Sequence, residues 1–259
     1  MKEKHILGLP LEYQQLPQYF DVHNINESTE LKNAFIENLL SAHGTKTILD
    51  MTCGTGSQVF YLAKRGYQVI GADFSPALIE QARKKSLAEG MNLTFIDGDM
   101  RTLRAGQFDA VITIFNAIGH LTQSDFEISL NNIRSNLKDG GIYIFDIFNL
   151  QAITDDMICS FNMDIENVVN GVRIRNTQYS EIDRVNGLLT SHDRYYIFKN
   201  GSEPEILDNT FSLQIYTMQQ LQCILARNGF QITATYDLEG NHFVVEKSLN
   251  IVIVAKKIV

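Results

Sequence analysis

Tryptophan is absent from this sequence, proline occurs four times and cysteine three times. Cys53, Cys159 and Cys223 are widely spaced and odd in number, with no CxxC or Cys/His ligand spacing. Neither a disulfide framework nor a metal site is expected from them. No run approaches the roughly 18 apolar residues of a membrane span. The opening "MKEKHILGLPLEYQQL" also lacks the apolar core, roughly 7–15 residues, of a secretion signal. The expectation is a cytoplasmic chain with no membrane partner. Positive charge is scarce too: 22 Lys and Arg against 30 Asp and Glu leave a formal net charge of −8. That balance disfavours nucleic acid, whose partners usually carry a basic stripe. The one compact basic cluster, Arg83-Lys84-Lys85, shares its helix with Glu80 and Glu89 and reads as a solvated face. Hydrophobic content of 44% over 259 residues describes a folded chain of one large domain or two modest ones.

What is present is an alternation. Strand-like runs at Thr47–Met51, Gln68–Ala72, Leu93–Ile96, Phe108–Ile114 and Ile142–Phe148 are separated by helical stretches. Ser75-Pro76 predicts an N-cap followed by proline in the first turn, with Gly90 closing that helix. Ser124 and Glu127 predict a capping box for the next helix, with Gly140-Gly141 after it. The pattern predicts an α/β fold: a parallel sheet with helices on both faces. Residues 1–43 read as a loop and then a helix from about Ser28, an N-terminal helical cap. Residues 44–150 and 217–259 read as the core.

Between 151 and 216 the pattern changes. The runs "MDIENVV", "VRIRNTQYSEI", "LLTSHDRYYIF" and "ILDNTFSLQIY" are separated by Asn-Gly at 170–171, 186–187 and 200–201. Asn-Gly between such runs signals hairpins, so a small antiparallel β insertion is expected after the fifth strand, covering a cavity or joining two copies as a homodimer. Thr217 and Gln220 predict a capping box for a helix ending at Gly229, and Phe230–Tyr236 and Ile251–Ala255 predict the last strands.

The stretch "ILDMTCGTGSQ" at 48–58 carries the chemistry. A strand ends in Asp50, and Gly54 and Gly56 then allow a tight turn that leaves no Cβ between backbone and ligand. The second strand ends in Asp73, about twenty residues on, where a carboxylate can accept from both hydroxyls of a ribose. The third ends in "FIDGDM", placing Asp99 where an adenine amino group would lie. A nicotinamide dinucleotide is the rival, but "GTGSQV" lacks the third glycine, and a pyrophosphate gains nothing from an acid at 50. S-adenosylmethionine carries no phosphate and suits that acid.

"ILDMTCGTGSQ", "VIGADFSPALIEQAR", "FIDGDMRTL", "FDAVITIFNAIGHL" and "LKDGGIYIFDIF" together resemble the successive motifs of class I S-adenosylmethionine-dependent methyltransferases. The resemblance spans residues 45–150, with Phe230–Lys256 similar to the family's closing hairpin. It implies a Rossmann-like sheet of seven strands, the last antiparallel. It also implies a cofactor set of Asp50, Thr52, Cys53, Gly54, Thr55, Gly56, Asp73, Phe74, Asp99, Met100, Phe115 and Asn116. "FNAIGHL", the insertion and the Tyr-Thr-x-x-x-Leu stretch at 216–221 are similar to two small-molecule branches: nucleotide-sugar amine N-methyltransferases and glycine N-methyltransferase. In the sugar enzymes a tyrosine near the N-terminus and the histidine of "GHL" face the acceptor; Tyr13 or Tyr19, and His120, match by position. The sequence departs from both branches in lacking any arginine between residues 1 and 64, which leaves the cofactor carboxylate unassigned.

The resemblance implies methyl transfer to a small-molecule acceptor, an amine or else a hydroxyl, with His120 as a near-neutral base. Asp146 and Asn149 end the fifth strand at the same rim. Tyr179, Arg194, Tyr195 and Tyr196 read as alternating sheet residues of the insertion. A protein that holds S-adenosylmethionine without turnover, or an NAD-dependent oxidoreductase, are the alternative readings.

Overall fold

A computed structural model describes residues 5–199 and 203–258. Five strands build the first half: β1 (Thr47–Asp50), β2 (Gln68–Asp73), β3 (Thr94–Asp97), β4 (Phe108–Thr113) and β5 (Leu137–Phe148). Helices α1 (Phe20–Asn24) and α2 (Glu27–Ala42) precede them, and α3 (Ser57–Ala63), α4 (Pro76–Ala88) and α5 (Gln123–Asn136) lie between them. After α6 (Asp155–Ser160) come β6 (Met163–Val169), β7 (Val172–Asp183), β8 (Leu188–Phe198) and β9 (Glu205–Gln214). Helix α7 (Met218–Arg227) and strands β10 (Phe230–Tyr236) and β11 (Asn250–Lys257) complete the chain.

The main sheet has seven strands in the order β10-β11-β5-β4-β1-β2-β3, and β11 runs antiparallel to both its neighbours. Its strands are apolar on both faces because helices cover both. Leu49, Val111 and Phe145 pack with Phe126 and Leu130 of α5 and Leu221 of α7. Ile48, Ile112 and Ile144 turn the other way, onto Leu40, Leu62 and Ile79 of α2, α3 and α4. Alternation along each strand thus divides the interior into two cores.

The helix ends follow local chemistry. Ser75 caps α4 by accepting the Leu78 N–H, with Pro76 in the first turn. Thr217 and Gln220 cap α7 reciprocally. Helix α5 corrects the expectation: its cap is Thr122, which accepts the Asp125 N–H, not Ser124. Glu127 instead reaches the Arg227 guanidinium on α7. Gly140-Gly141 do not follow a helix end directly; they sit in the bent start of β5, five residues earlier than its apolar run suggests, with Gly140 at φ 73°. The N-terminal helix begins at Glu27, capped by Asn26, and is preceded by α1 and two short 3₁₀ turns at Leu11–Tyr13 and Pro17–Tyr19.

Strands β6 to β9 form a separate antiparallel sheet in sequential order. Asn170 and Gly171 are both left-handed (φ 52° and 79°), as a two-residue hairpin turn requires. Asn186-Gly187 turns β7 into β8. The expected turn at Asn200-Gly201 lies outside the described residues. Strand β9 packs on the turn that follows β4: a Cβ added at Gly119 would stand 3.3 Å from the Leu213 side chain. The insertion therefore sits over the carboxyl ends of the main strands.

Residues 5–24 run as a strap between this insertion and the main sheet. The Leu7 carbonyl accepts the Ser212 N–H at 2.8 Å, and the Leu9 carbonyl accepts from Asn209 Nδ2 at 3.2 Å. Leu11, Leu16 and Tyr19 pack with Ile174, Tyr195 and Ile197 of the insertion.

Candidate active site

Strand order reverses between β1 and β4, and a cavity of ≈ 320 Å³ opens at their carboxyl ends. The glycine turn after β1 forms one wall. Gly54 (φ 54°) and Gly56 (φ 95°) are both left-handed. A Cβ on Gly54 would stand 2.9 Å from the Phe20 ring of the strap; on Gly56 it would stand 2.9 Å from Phe60. Thr52, Cys53, Gly54 and Thr55 line the cavity, whereas Gly56 lies behind it as the cap residue of α3.

Asp73 lines the same wall. Its two oxygens accept the Gly54 and Ser75 N–H groups, each at 2.8 Å, so one carboxylate ties the glycine turn to the start of α4. Asp50 is 1% exposed. Its Oδ1 accepts the Thr52 N–H at 3.1 Å, and its Oδ2 has no hydrogen-bond partner among the described residues. Burial, with the Asp73 charge nearby, pushes its pKa up to about 7. A buried carboxylate oxygen left open at a cavity wall is costly unless a donor or cation meets it.

Asp99 stands at the expected strand end. It lines the cavity with Met100 and Phe74, but Arg101 already engages its carboxylate through the main-chain N–H at 2.9 Å and the guanidinium at 2.7 Å. Burial opposes the charge, yet the Arg101 hydrogen bonds outweigh it and hold the carboxyl below its usual range. Arg101 thus orients the carboxylate at the cavity wall, where its remaining lone pairs can still accept.

The loop after β4 forms the opposite wall. Phe115 and Asn116 are left-handed (φ 63° and 57°), a conformation costing a non-glycine residue roughly 1–2 kcal/mol. Asp146, at the end of β5, accepts both of their N–H groups, at 2.5 and 3.1 Å. Burial pushes the Asp146 pKa up to about 6, against those hydrogen bonds and the charge of Lys32. Asn149 is turned away: its Nδ2 donates to the Val245 and Ser248 carbonyls.

His120 closes this wall, 7% exposed, with its Nδ1 unpartnered among the described residues. Burial, helped by His5, lowers the His120 pKa to about 3, so the imidazole is neutral. Tyr13 meets His120 edge-on at 5.3 Å between centroids, and Phe211 of β9 approaches at 5.9 Å. Tyr19 does not reach the cavity; it is buried in the apolar contact between strap and insertion.

Several wall residues escaped the sequence reading. His5, Phe20 and His23 come from the strap, and Lys32 from α2. Lys32 is the one Lys or Arg among the described residues of the wall, its Nζ 5.6 Å from the Phe115 ring centre. His5 Nδ1 donates to the His120 carbonyl at 3.1 Å. Asp21 of α1 accepts from Thr55 Oγ1 at 2.5 Å and from Lys85, fastening the strap across the glycine turn. No described residue of the insertion lines the cavity. Tyr195 donates to the buried Glu12 at 2.5 Å, while Tyr179 stacks on His192, Arg194 pairs with Asp208 and Tyr196 lies near Arg175. Among the described residues no group of His, Cys, Asp and Glu could hold a metal ion, and no helix is long and apolar enough to cross a membrane.

Residues 48–141 match a family described as a methyltransferase domain. Glycine N-methyltransferase of Homo sapiens is 31% identical over 137 residues, 46% of each chain, so the chain spans about half the length of that curated relative. The sugar N-methyltransferase KedS8 from Streptoalloteichus has a TM-score of 0.78 at 14% identity, over 100% of this chain and 97% of that one. An S-adenosylmethionine-dependent methyltransferase from Clostridium acetobutylicum has a TM-score of 0.77 at 17% identity, over 93% and 96%. The two structural likenesses show a shared fold.

Proposed function

Since residues 48–141 match a methyltransferase domain, we propose that this chain is a class I S-adenosylmethionine-dependent methyltransferase acting on the nitrogen of a small polar acceptor. Bound S-adenosylmethionine supplies a methyl group on a positively charged sulfur, open to displacement. The residues present fit it: the open Asp50 oxygen suits its ammonium, Lys32 its carboxylate and Asp73 its ribose hydroxyls. Phe74 and Met100 supply apolar flanks. Residues 44–150 and 217–259 then hold the cofactor, and 151–216 close the acceptor side through the strap.

The observation that carries nitrogen over oxygen is the neutral His120. A hydroxyl acceptor needs a base to strip its proton, and an imidazole with a pKa lowered to about 3 is a poor one. A neutral amine brings its own lone pair and needs orientation only. His120 Nδ1 accepts an acceptor N–H, and Tyr13 bounds the approach. The names of the glycine and sugar N-methyltransferases support the same class.

The test is incubation of the purified protein with methyl-labelled S-adenosylmethionine and paired panels of amino acids, amino sugars and their hydroxyl counterparts. Label on nitrogen is the expected result. Label on oxygen alone, or cofactor binding without turnover across both panels, overturns the proposal.

A further inference from the structure

We propose that Asp146 is the positioning residue that sets the Phe115–His120 loop for methyl transfer, an inference that rests on the function proposed above. Among the described residues three non-glycine positions are left-handed: Phe115, Asn116 and Asn170. Asn170 belongs to an Asn-Gly hairpin turn whose geometry demands it. Nothing of that kind explains the consecutive pair at 115 and 116. The N–H groups of these two successive residues converge on one anion. Here the anion is a side chain, with one Asp146 oxygen on each N–H.

This contact decides where the acceptor wall stands. The 3₁₀ turn Ala117–His120 starts directly from Asn116, so the backbone at 115 and 116 aims the His120 ring. Phe115 is turned toward Lys32, and Asn116 Oδ1 accepts from Asn250 Nδ2 of β11 at 3.3 Å. The loop is therefore held from β4, β5 and β11 together. Asp146 itself lines the cavity, and its side-chain hydrogen bonds go to this backbone, with the charge of Lys32 nearby.

The ionised carboxylate does this best. Each of its oxygens accepts one N–H; protonation turns one oxygen into a donor, and an N–H is left facing it. The groups around Asp146 are the N–H of Phe115 and of Asn116, Lys32 from α2, and Tyr143 within β5, whose hydroxyl is taken up by Thr113. Burial favours the proton, with a pKa pushed up to about 6. Turnover should fall as pH drops through that value, while His120 stays neutral throughout. The acidic limb then belongs to Asp146.

The experiment follows the Phe115 and Asn116 amide protons and the Asp146 side-chain carboxyl by NMR across acidic to neutral pH, in protein saturated with S-adenosylhomocysteine. All three signals should share one midpoint. Asp146→Asn should abolish that titration and lower single-turnover methyl transfer by roughly tenfold to a hundredfold, the scale of a small misplacement. S-adenosylhomocysteine affinity should change far less, because Asp50 and Asp73 remain. Amide signals that titrate independently of the carboxyl, or an Asp146→Asn enzyme with wild-type turnover and an unmoved acidic limb, overturn the assignment. Should the variant not fold, the wild-type titration decides alone. Shared titration in a protein that methylates no nitrogen acceptor upholds the loop assignment and overturns the proposed function, so the two failures are distinguishable.

Discussion

Tyr13 and His120, 107 positions apart in the chain, meet edge-on with ring centroids 5.3 Å apart. The strap thus supplies one side of the wall and the β4 loop the other. His120 enters as a neutral imidazole whose Nδ1 is open to a donor. His120→Ala should lower single-turnover transfer by about threefold to tenfold, the worth of one neutral hydrogen bond. The variant's acidic limb should coincide with that of the wild type. A limb that disappears with His120 would restore the imidazole as a base.

Asp73 serves backbone and ligand at once. Asp73→Ala removes acceptors from the Gly54 and Ser75 N–H groups and from any ribose. Charged hydrogen bonds contribute about 1.5–3 kcal/mol each. Cofactor affinity should fall by tenfold to a hundredfold or more, and the melting temperature should fall with it. Calorimetry that finds unchanged affinity in a folded variant removes Asp73 from the site.

Asp50 makes cofactor binding depend on pH. With its pKa raised to about 7, the free protein holds a proton there below neutrality. An ammonium ligand needs the carboxylate, so affinity should rise with pH up to about 7, by at most about tenfold per unit, and binding should release a proton. The unliganded protein should show the opposite trend in this group's share of stability. Asp50 binds its proton more tightly folded than unfolded, so that share declines as pH rises from 3.8 to about 7. Titration calorimetry in buffers of different ionisation enthalpy counts the protons. Asp50→Asn should abolish the release.

Glu12 and Tyr195 fasten the strap to the insertion. Glu12 is 6% exposed and accepts from Tyr195 at 2.5 Å and from His23 Nδ1 at 2.9 Å. Tyr195→Phe leaves a buried carboxylate short of a donor, a loss of about 1–3 kcal/mol. Hydrogen exchange in residues 5–24 should quicken while the main sheet stays protected. Uniform quickening across both sheets would mean that the contact supports the whole fold and not the strap.

Much of this protein was readable from local pattern. Val172–Asp183 and Leu188–Phe198 alternate along their length and are bounded by Asn-Gly, so both strands could be placed within one residue. Thr217 and Gln220 cap α7 from four adjacent positions, and Gly54 and Gly56 serve a turn that only glycine adopts freely. These features depend on neighbours within a turn or two, which a sequence displays directly. Even so, Thr122 captured the α5 cap from Ser124, because either residue could accept an N–H and packing chose the earlier start.

Tertiary structure decided the rest. Residues 5–24 have no usable periodicity, and they become a strap only through contacts such as His5 with His120 and Glu12 with Tyr195. Lys32 looks like an ordinary surface residue of α2 until that helix is laid beside Phe115. Asp99 stands at the expected strand end, but that a buried Arg101 folds back onto its carboxylate is set by packing. His120 sits where the sequence placed it, yet its protonation follows from burial beneath Tyr13, Phe211 and His5. Residue type sets which group titrates. How far its pKa moves depends on the water that packing removes, and segments distant in the chain determine that packing.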